Sequence, residues 1–313
     1  MCTLIAAMEN INSKGQVIHP YGTIIRDEGV YRKYKDQNFA PTCLIWSSNP
    51  GVTHGEIDGV KALCYSCNYF FYELGDLCTW EMMRDTAQAL GLGVPTGIEI
   101  TEKIGAVNTP EQKKFVYGSG HTSTWGAGDR VLGGIGQGEH RFTPMQLAVY
   151  ASTLANKGTR MKATFLNRVV SSDYRTLVFQ NEPKVMSQLN MQWTTIDTYW
   201  RGMREVVTTM GGTATSYFGG PRDFYPDIWP MADEITVYAK TGTAQHASGG
   251  SDHGSLVCFA HRKGETEPDI AIAMYGEKIA HGSTLCAAAE KILMAYYEMD
   301  AASEVTSFEN QVS

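Results

Sequence analysis

Apolar residues recur at three- and four-residue intervals in several parts of the chain, a pattern that predicts helices with one buried face. The clearest case is residues 60–74, where the apolar positions are Val60, Leu63, Cys64, Cys67, Phe70, Phe71 and Leu74. Other helices are predicted where such runs follow a Thr-Pro start or end at glycines. These helices are residues 81–90, 145–156 and 196–208, and residues 1–10 are read as the remnant of another helix.

Three further apolar runs near the carboxyl end read as β-strands. Residues 235–243, 255–260 and 270–275 are predicted to form neighbouring antiparallel strands. A last helix, capped by Ser283 and ending at Tyr297, is predicted to pack on this sheet. We therefore place residues 1–299 in one domain and residues 300–313 in a polar tail.

The most informative motif, Lys240-Thr241-Gly242-Thr243, lies at the end of the first predicted strand. Because side chains alternate along a strand, Lys240 and Gly242 share one face, and Thr241 and Thr243 share the other. Glycine lets another backbone approach closely, so an extended substrate can lie along the strand edge. A cation beside two hydroxyls predicts binding of a peptide carboxylate.

A second motif, Ser66-Cys67-Asn68, lies within the predicted helix of residues 60–74. Residues two apart on an unbroken helix do not face the same way, so Ser66 and Asn68 can serve one site only if the helix breaks there. We predict a break at residues 65–68, with Ser66 or Asn68 capping the second helix. A second S-x-N triplet, residues 47–49, precedes Pro50-Gly51 and indicates an ordinary turn.

With these motifs the chain resembles the transpeptidase domain of class B penicillin-binding proteins, relatives of the serine β-lactamases, whose signature motifs are S-x-x-K, S-x-N or S-D-N, and K-T-G. The resemblance implies an α+β, β-lactamase/transpeptidase-like fold with an antiparallel sheet flanked by helices. Other segments agree with the family in order along the chain. They are Gly134–Gly138, Thr143–Ala148, Ala155–Gly158, Gly212–Ala214 and Asp252–Gly254, the last followed by Ser255 where the family has an aromatic residue.

One signature motif of the family is not found in the sequence, since no serine has a lysine three positions later. Residues 1–8 are similar to the apolar run that follows S-x-x-K in the family. We therefore expect an amino-terminally truncated domain, lacking its first strands and helix as well as the nucleophilic serine and its lysine. Residues 270–275 would then form a hydrophobic open edge.

The resemblance implies acyl transfer through a serine ester. Peptidoglycan stem peptide ending in D-Ala-D-Ala would lie against residues 240–243, with its carboxylate held by Thr241, Thr243 and the charge of Lys240. The N–H of Thr243 would form half of an oxyanion hole. Ser66 would relay a proton to the leaving D-alanine, and Asn68 would bind the substrate backbone. β-Lactams would occupy the same groove, without a cofactor.

Composition narrows the possible partners and the location. The net charge of −7 argues against a nucleic-acid partner, because phosphate binding needs concentrated Lys and Arg. No apolar run approaches the roughly 20 residues of a membrane span. The family implies a membrane-anchored full-length protein on the extracytoplasmic face of the bacterial membrane, partnered with other cell-wall synthesis proteins.

Seven scattered cysteines do not resemble a disulfide framework. Cys64 and Cys67 match C-x-x-C, but both lie on the apolar face of the predicted helix and are read as small hydrophobic residues. His246, His253, His261 and His281 fit no ligand spacing. We therefore expect no metal site.

Alternatives remain open at this point. The chain could be a non-catalytic scaffold or binding protein that kept the fold, or an unrelated hydrolase with coincidental motifs. Within the family, elongation, division and sporulation paralogues are not separated by these motifs, and neither are transpeptidase and carboxypeptidase. As given, we expect the chain to be inactive, because the nucleophile is not among its residues.

Overall fold

A computed structural model of the chain describes residues 1–118, 120, 124–220, 230–245 and 250–305. Eleven α-helices and nine β-strands lie in these residues. The helices are α1 Cys2–Glu9, α2 Leu44–Ser48, α3 Gly59–Cys64, α4 Asn68–Leu77, α5 Trp80–Ala89, α6 Pro110–Tyr117, α7 Ala127–Gly134, α8 Pro144–Ala155, α9 Trp193–Thr208, α10 Thr215–Phe218 and α11 Cys286–Val305. The strands are β1 Ile25–Asp27, β2 Gly55–Ile57, β3 Thr159–Met161, β4 Arg168–Val170, β5 Leu177–Gln180, β6 Val185–Gln188, β7 Ile235–Ala244, β8 His253–Arg262 and β9 Ile270–Gly276.

The main sheet has the order β7-β8-β9, and both pairs are antiparallel. This confirms the three predicted strands, each slightly longer than the sequence indicated. Its two edge strands, β7 and β9, each pair only with β8 among the described strands. Three small two-stranded sheets accompany it: β1 with β2, β3 with β6, and β4 with β5.

Two apolar clusters cover the faces of the main sheet. On one face, Val257 and Phe259 join a helical core that includes Leu4, Phe70 and Leu154. On the other face, residues such as Val237, Leu256 and Cys258 pack with side chains of α9, α10 and α11. The alternation along β8 explains the division, because successive strand residues point to opposite faces. The fold is therefore α+β, with a three-stranded antiparallel sheet between helices.

Most of the predicted helices are present, and the start of α8 shows the capping that the sequence predicts. The Thr143 hydroxyl oxygen accepts a hydrogen bond from the N–H of Gln146, and the N–H of Thr143 donates one to the Gln146 side-chain oxygen, so α8 begins with a full capping box. Residues 145–156 were thus placed within one residue at each end. Helix α9 begins at Trp193, three residues before the prediction.

The start of the last helix was predicted wrongly. Ser283 does not cap α11; it lies inside a 3₁₀ turn, Gly282–Leu285, and α11 begins at Cys286. The backbone at Gly282 lies so close to β7 and β8 that a Cβ there would overlap the carbonyl oxygens of Gly242 and Ser255. Because the backbone is confined at Gly282, the α-helix begins only after this turn, at Cys286.

The carboxyl end also differs from the prediction. Helix α11 continues to Val305, into the segment predicted as a polar tail. Tyr297 is buried against the sheet, as predicted for the helix that covers it. The remainder of the predicted tail, residues 306–313, lies outside the described residues.

Candidate active site

The break predicted between two helices is present at Ser66. Helix α3 ends at Cys64, and α4 begins at Asn68. Ser66 has a φ of 55°, a left-handed conformation that a non-glycine residue adopts only when its surroundings hold it there. The turn therefore points Ser66 away from the helical path and toward the sheet.

The predicted cap at this break is wrong. The N-cap of α4 is Cys67, with φ −69° and ψ 106°, and it forms no side-chain capping hydrogen bond. An N-cap residue needs extended backbone angles, which the left-handed Ser66 does not have. Asn68, the other predicted cap, is the first residue of the helix itself and is half-buried.

Lys240 and Ser66 meet as predicted. The Lys240 Nζ donates a hydrogen bond of 2.9 Å to Ser66 Oγ and one of 2.7 Å to the Thr241 carbonyl oxygen. Burial of the ammonium group lowers the pKa of Lys240 from 10.5 to about 8, and the nearby Cys64 thiol opposes that shift. A lysine in this range can give up or accept a proton near neutral pH, which is what proton relay requires.

The two threonines of the K-T-G-T segment have different surroundings. Thr241 is buried, and its Oγ1 lies 2.6 Å from Oγ1 of Thr213. Thr243, two residues further along the same face of β7, is exposed. Thr243 is therefore open to a ligand, whereas Thr241 is positioned by Thr213.

Gly242 lies opposite Ser255 in the β7–β8 pair. A Cβ at Gly242 would come within 2.5 Å of the Ser255 hydroxyl oxygen. The neighbouring strand thus disfavours a side chain at this position unless the Ser255 hydroxyl moves. Ser255 is the position at which the chain departs from the family pattern.

The amino end of α1 lies near the same site. Burial is the main cause that lowers the pKa of the Met1 amino group, and the charge of Lys240 lowers it further. A charge effect of this kind requires the two groups to be close. The apolar residues that follow, from Leu4 to Ala7, are fully buried in the helical core.

Four side chains that could hold a metal ion converge beneath the Ser66 turn. Asp27, Cys43, His54 and Cys67 each offer one donor atom, and these atoms all lie within 4.8 Å of one another. The sequence expectation of no metal site depended on ligand spacing along the chain, and this cluster combines four separate segments. Cys67 is buried, as predicted, but its thiol faces polar groups.

Two features of the site were not predicted, the Thr213–Thr241 contact and the polar cluster that includes Asp27 and His54. Thr213 belongs to the G-T-A segment that agrees with the family, but nothing in the sequence connects its hydroxyl to Thr241. Asp27 and His54 lie in a segment, residues 13–59, that carries no periodic pattern. Of the histidines considered as ligands, His246 lies outside the described residues.

An antiparallel sheet covered by helices, with a K-T-G strand facing an S-x-N turn, defines the class of β-lactamase/transpeptidase-like proteins. The chain belongs to the penicillin binding protein transpeptidase domain family, whose model matches residues 14–292. The ordered succession of motifs is therefore not a coincidence in an unrelated hydrolase.

Curated relatives support the same family. The chain is 27% identical over 254 residues to the peptidoglycan D,D-transpeptidase MrdA of Acinetobacter baumannii, covering 76% of this chain and 34% of that protein. It is 27% identical over 258 residues to MrdA of Haemophilus influenzae, covering 78% and 37%. The chain thus spans about a third of the length of these relatives.

Solved structures show the same fold. Penicillin-binding protein PBP2 of Helicobacter pylori matches with a TM-score of 0.72 and 22% identity, over 96% of this chain and 48% of that one. PBP2 of Pseudomonas aeruginosa, solved in complex with WCK 5153, matches with a TM-score of 0.71 and 22% identity, over 95% and 59%. In the part of our chain that the structure describes, no helix is both long enough and apolar enough to span a membrane.

Proposed function

We propose that this chain forms the substrate groove and proton relay of a peptidoglycan D,D-transpeptidase that works through a serine acyl-enzyme. The hydrogen bond between Lys240 and Ser66 carries the proposal, because it joins the K-T-G strand and the S-x-N turn at one point. The whole enzyme would act at the extracytoplasmic face of the bacterial membrane. The similarity to an H. pylori PBP2 solved in complex with MreC favours cell-wall synthesis proteins as partners.

The substrate would add to the sheet at β7. This strand has one partner among the described strands, β8, so its other edge can pair with an extended stem peptide ending in D-Ala-D-Ala. The exposed Thr243 hydroxyl would hold the terminal carboxylate beside the charge of Lys240. Gly242 would let the peptide backbone approach, and the N–H of Thr243 would serve the oxyanion hole.

The Thr213–Thr241 pair supports this carboxylate site. Two hydroxyls carry two hydrogens, and the 2.6 Å contact between their oxygens uses only one of them. The second hydrogen is free to be donated to a substrate oxygen. If Thr213 is the donor, this second hydrogen belongs to Thr241, which would then donate it to the carboxylate with its orientation fixed by Thr213.

Proton transfer would run through Ser66. With its pKa near 8, Lys240 can exchange a proton with the hydroxyl it contacts, and Ser66 can pass that proton to the departing D-alanine. Asn68, one helical position beyond Cys67, would bind the substrate amide.

In this proposal the attacking serine is supplied from outside these 313 residues, because no serine in them precedes a lysine by three positions. We place it immediately before α1, because the family has its S-x-x-K motif directly ahead of the apolar run that residues 1–8 resemble. We therefore expect the 313-residue chain alone to bind β-lactams reversibly and to form no covalent adduct.

Labelling with a fluorescent penicillin tests this proposal. The chain should give no labelled band on a denaturing gel, but should raise the fluorescence polarisation of the probe. A chain extended by an S-x-x-K segment should become labelled, and the extended Ser66→Ala and Lys240→Met variants should label roughly 10²-fold more slowly. The matched control is the same extended chain with the added serine changed to alanine.

A non-catalytic binding protein is the second candidate, favoured by the lack of an S-x-x-K motif in the 313 residues. Its signature would be reversible penicillin binding in both the original and the extended chain, with no labelled band from either. A labelled band from the original chain would contradict both candidates.

A further inference from the structure

A groove of about 550 Å³ opens beside the turn that carries Ser66, and its lining residues take no part in the proposed proton relay. It lies between the start of α2, the residues before β2, the end of α3 and the loop after α9. Leu44, Ile45, Thr53, His54, Tyr65 and Gly211 line it. Its volume falls in the range of about 300–1,000 Å³ that is typical of ligand sites.

The groove shares two of its walls with the candidate active site. Tyr65 directly precedes Ser66 in the chain, and Gly211 lies two residues before Thr213, whose hydroxyl contacts Thr241 at 2.6 Å. The two walls also lie against each other, since a Cβ at Gly211 would be 3.3 Å from Cε1 of Tyr65. The groove therefore adjoins the candidate active site on its Ser66 side.

The lining of the groove is largely apolar. Leu44 is 63% exposed, so its side chain is available as one wall. The Tyr65 ring forms another wall and stacks on the His54 ring, with centroids 5.7 Å apart and planes 8° apart. Among the described residues that line the groove, none is a lysine, arginine, aspartate or glutamate. An aliphatic chain therefore fits this surface, whereas a charged ammonium group finds no carboxylate there.

The Ser66 side is where an attacking amine has to approach in the proposed mechanism. Ser66 would pass a proton to the amine of the departing D-alanine. Attack by the amine of a second strand reverses that step with a different amine, so the incoming amine approaches the same hydroxyl. None of the residues named as lining the groove lies in β7, so a donor peptide paired with that strand leaves the groove free.

We propose that this groove binds the acceptor stem peptide of the cross-linking reaction, a role that rests on the proposed function. The aliphatic part of the amine-bearing side chain packs on Leu44 and Tyr65, and the amine reaches the Ser66 hydroxyl. The neutral amine nitrogen then attacks the ester carbonyl carbon, and the bond from that carbon to the nucleophile oxygen breaks. One amine proton passes through Ser66 to that oxygen.

The uncharged lining favours the reactive form of the acceptor. An ammonium group has no lone pair for attack, and burial without an opposite charge lowers the pKa of an amine. The positive charge of Lys240, which donates a hydrogen bond to Ser66, acts on an adjacent amine in the same direction. The groove therefore holds the aliphatic chain and favours deprotonation of its amine.

Peptide binding to the 313-residue chain tests this inference without the chemical step. The probe is a fluorescent stem tripeptide that ends at lysine and so lacks D-Ala-D-Ala. Leu44→Lys should weaken its binding about tenfold, because the variant loses an apolar contact and adds a like charge. The same variant should not weaken the binding of a fluorescent penicillin. Leu77→Lys, which alters an exposed leucine outside the groove, is the matched control and should change neither affinity.

Photo-cross-linking of the wild-type chain does not depend on the folding of a variant. A tripeptide with photo-leucine in place of the lysine should attach to residues 44–54 or to Tyr65, as identified by mass spectrometry. Attachment only outside the groove would overturn the inference and leave the proposed function standing. A chain that binds penicillin but not the tripeptide, or equal tripeptide affinities of the Leu44→Lys and Leu77→Lys variants, would do the same. A chain that binds neither probe would overturn both.

Discussion

The ammonium group of Lys240 donates a hydrogen bond to the Ser66 hydroxyl over 2.9 Å, joining residues 174 positions apart. The contact has a consequence for charge, since the same burial that brings the two groups together lowers the pKa of Lys240 to about 8. The ordinary value of 10.5 applies to the unfolded chain. The two states therefore hold different numbers of protons between these pH values.

Titration should find one lysine with a lowered pKa. We expect NMR spectra of the chain with its lysine amines methylated, recorded over a range of pH, to show one lysine resonance that titrates near pH 8. The Lys240→Arg variant should lack that resonance. If every lysine titrated near the ordinary value of about 10.4, the burial argument would fail.

The same shift predicts how stability changes with pH. Between pH 8 and 10.5 the unfolded chain binds more protons at Lys240 than the folded chain, so this lysine makes the free energy of unfolding rise with pH in that window. Below pH 8, where both states are charged, its unfavourable contribution is complete. Urea unfolding at several pH values, compared with Lys240→Met, should show the wild type gaining stability relative to the variant as the pH rises. An unchanging difference would contradict the prediction.

The backbone at Ser66 predicts that two small substitutions destabilise the chain to different extents. Ser66→Ala and Ser66→Gly both lose the hydrogen bond to Lys240, which contributes about 1–2 kcal/mol. Glycine accepts the φ of 55° without a steric cost, so it should recover roughly 1 kcal/mol that alanine does not. Urea unfolding should therefore rank Ser66→Gly as more stable than Ser66→Ala.

A matched pair of variants at Ser47 controls for general glycine effects. Ser47 lies in helix α2, where glycine should be less stable than alanine by about 0.5–1 kcal/mol. The order of the alanine and glycine variants should thus reverse between the two sites. The same order at both would show that the left-handed backbone of Ser66 carries no strain.

Much of the sheet and its attached helices could be read from the sequence, because their burial is periodic. Residues 235–243 alternate between the two faces, and the structure keeps that alternation up to Thr241. The break at Ser66 could be predicted because two polar residues of one site cannot lie two apart on a helix. The K-T-G contact with Ser66 followed from the family resemblance, which joined motifs that no local rule connects.

The features that could not be predicted depend on tertiary contacts, which leave no periodic pattern of apolar residues in the sequence. The four side chains that could hold a metal ion come from a strand end, two helix starts and a loop. The sequence therefore shows no ligand spacing that would connect Asp27 with Cys67. The Ser283 cap failed because Gly282 is pressed against β7 and β8, a contact between distant segments. Likewise, the polarity of Ser66 suggested a helix cap, but its hydroxyl bonds to Lys240 on another element.

The hydroxyl pair of Thr213 and Thr241 can be tested by a double-mutant cycle. Because Thr241 is buried, Thr213→Val leaves its hydroxyl without this partner and should cost about 1–3 kcal/mol of unfolding free energy. Changing both residues to valine should cost less than the sum of the single changes, because no hydroxyl is then left unpaired. Thr213→Ser keeps the hydroxyl and is the control. Strictly additive costs in urea unfolding would mean that the 2.6 Å contact is not a hydrogen bond.

The glycines beside the K-T-G strand should differ in their tolerance of a methyl group. A Cβ at Gly282 would overlap backbone carbonyls of Gly242 and Ser255, which cannot move without disrupting the sheet, whereas a Cβ at Gly242 would meet the movable Ser255 hydroxyl at 2.5 Å. We expect Gly282→Ala to cost at least about 3 kcal/mol and Gly242→Ala about 1–2 kcal/mol by urea unfolding. Adding Ser255→Gly should restore much of the loss in Gly242→Ala and none of the loss in Gly282→Ala. Equal rescue of both variants would show that the Gly282 turn does not press on the strand backbone.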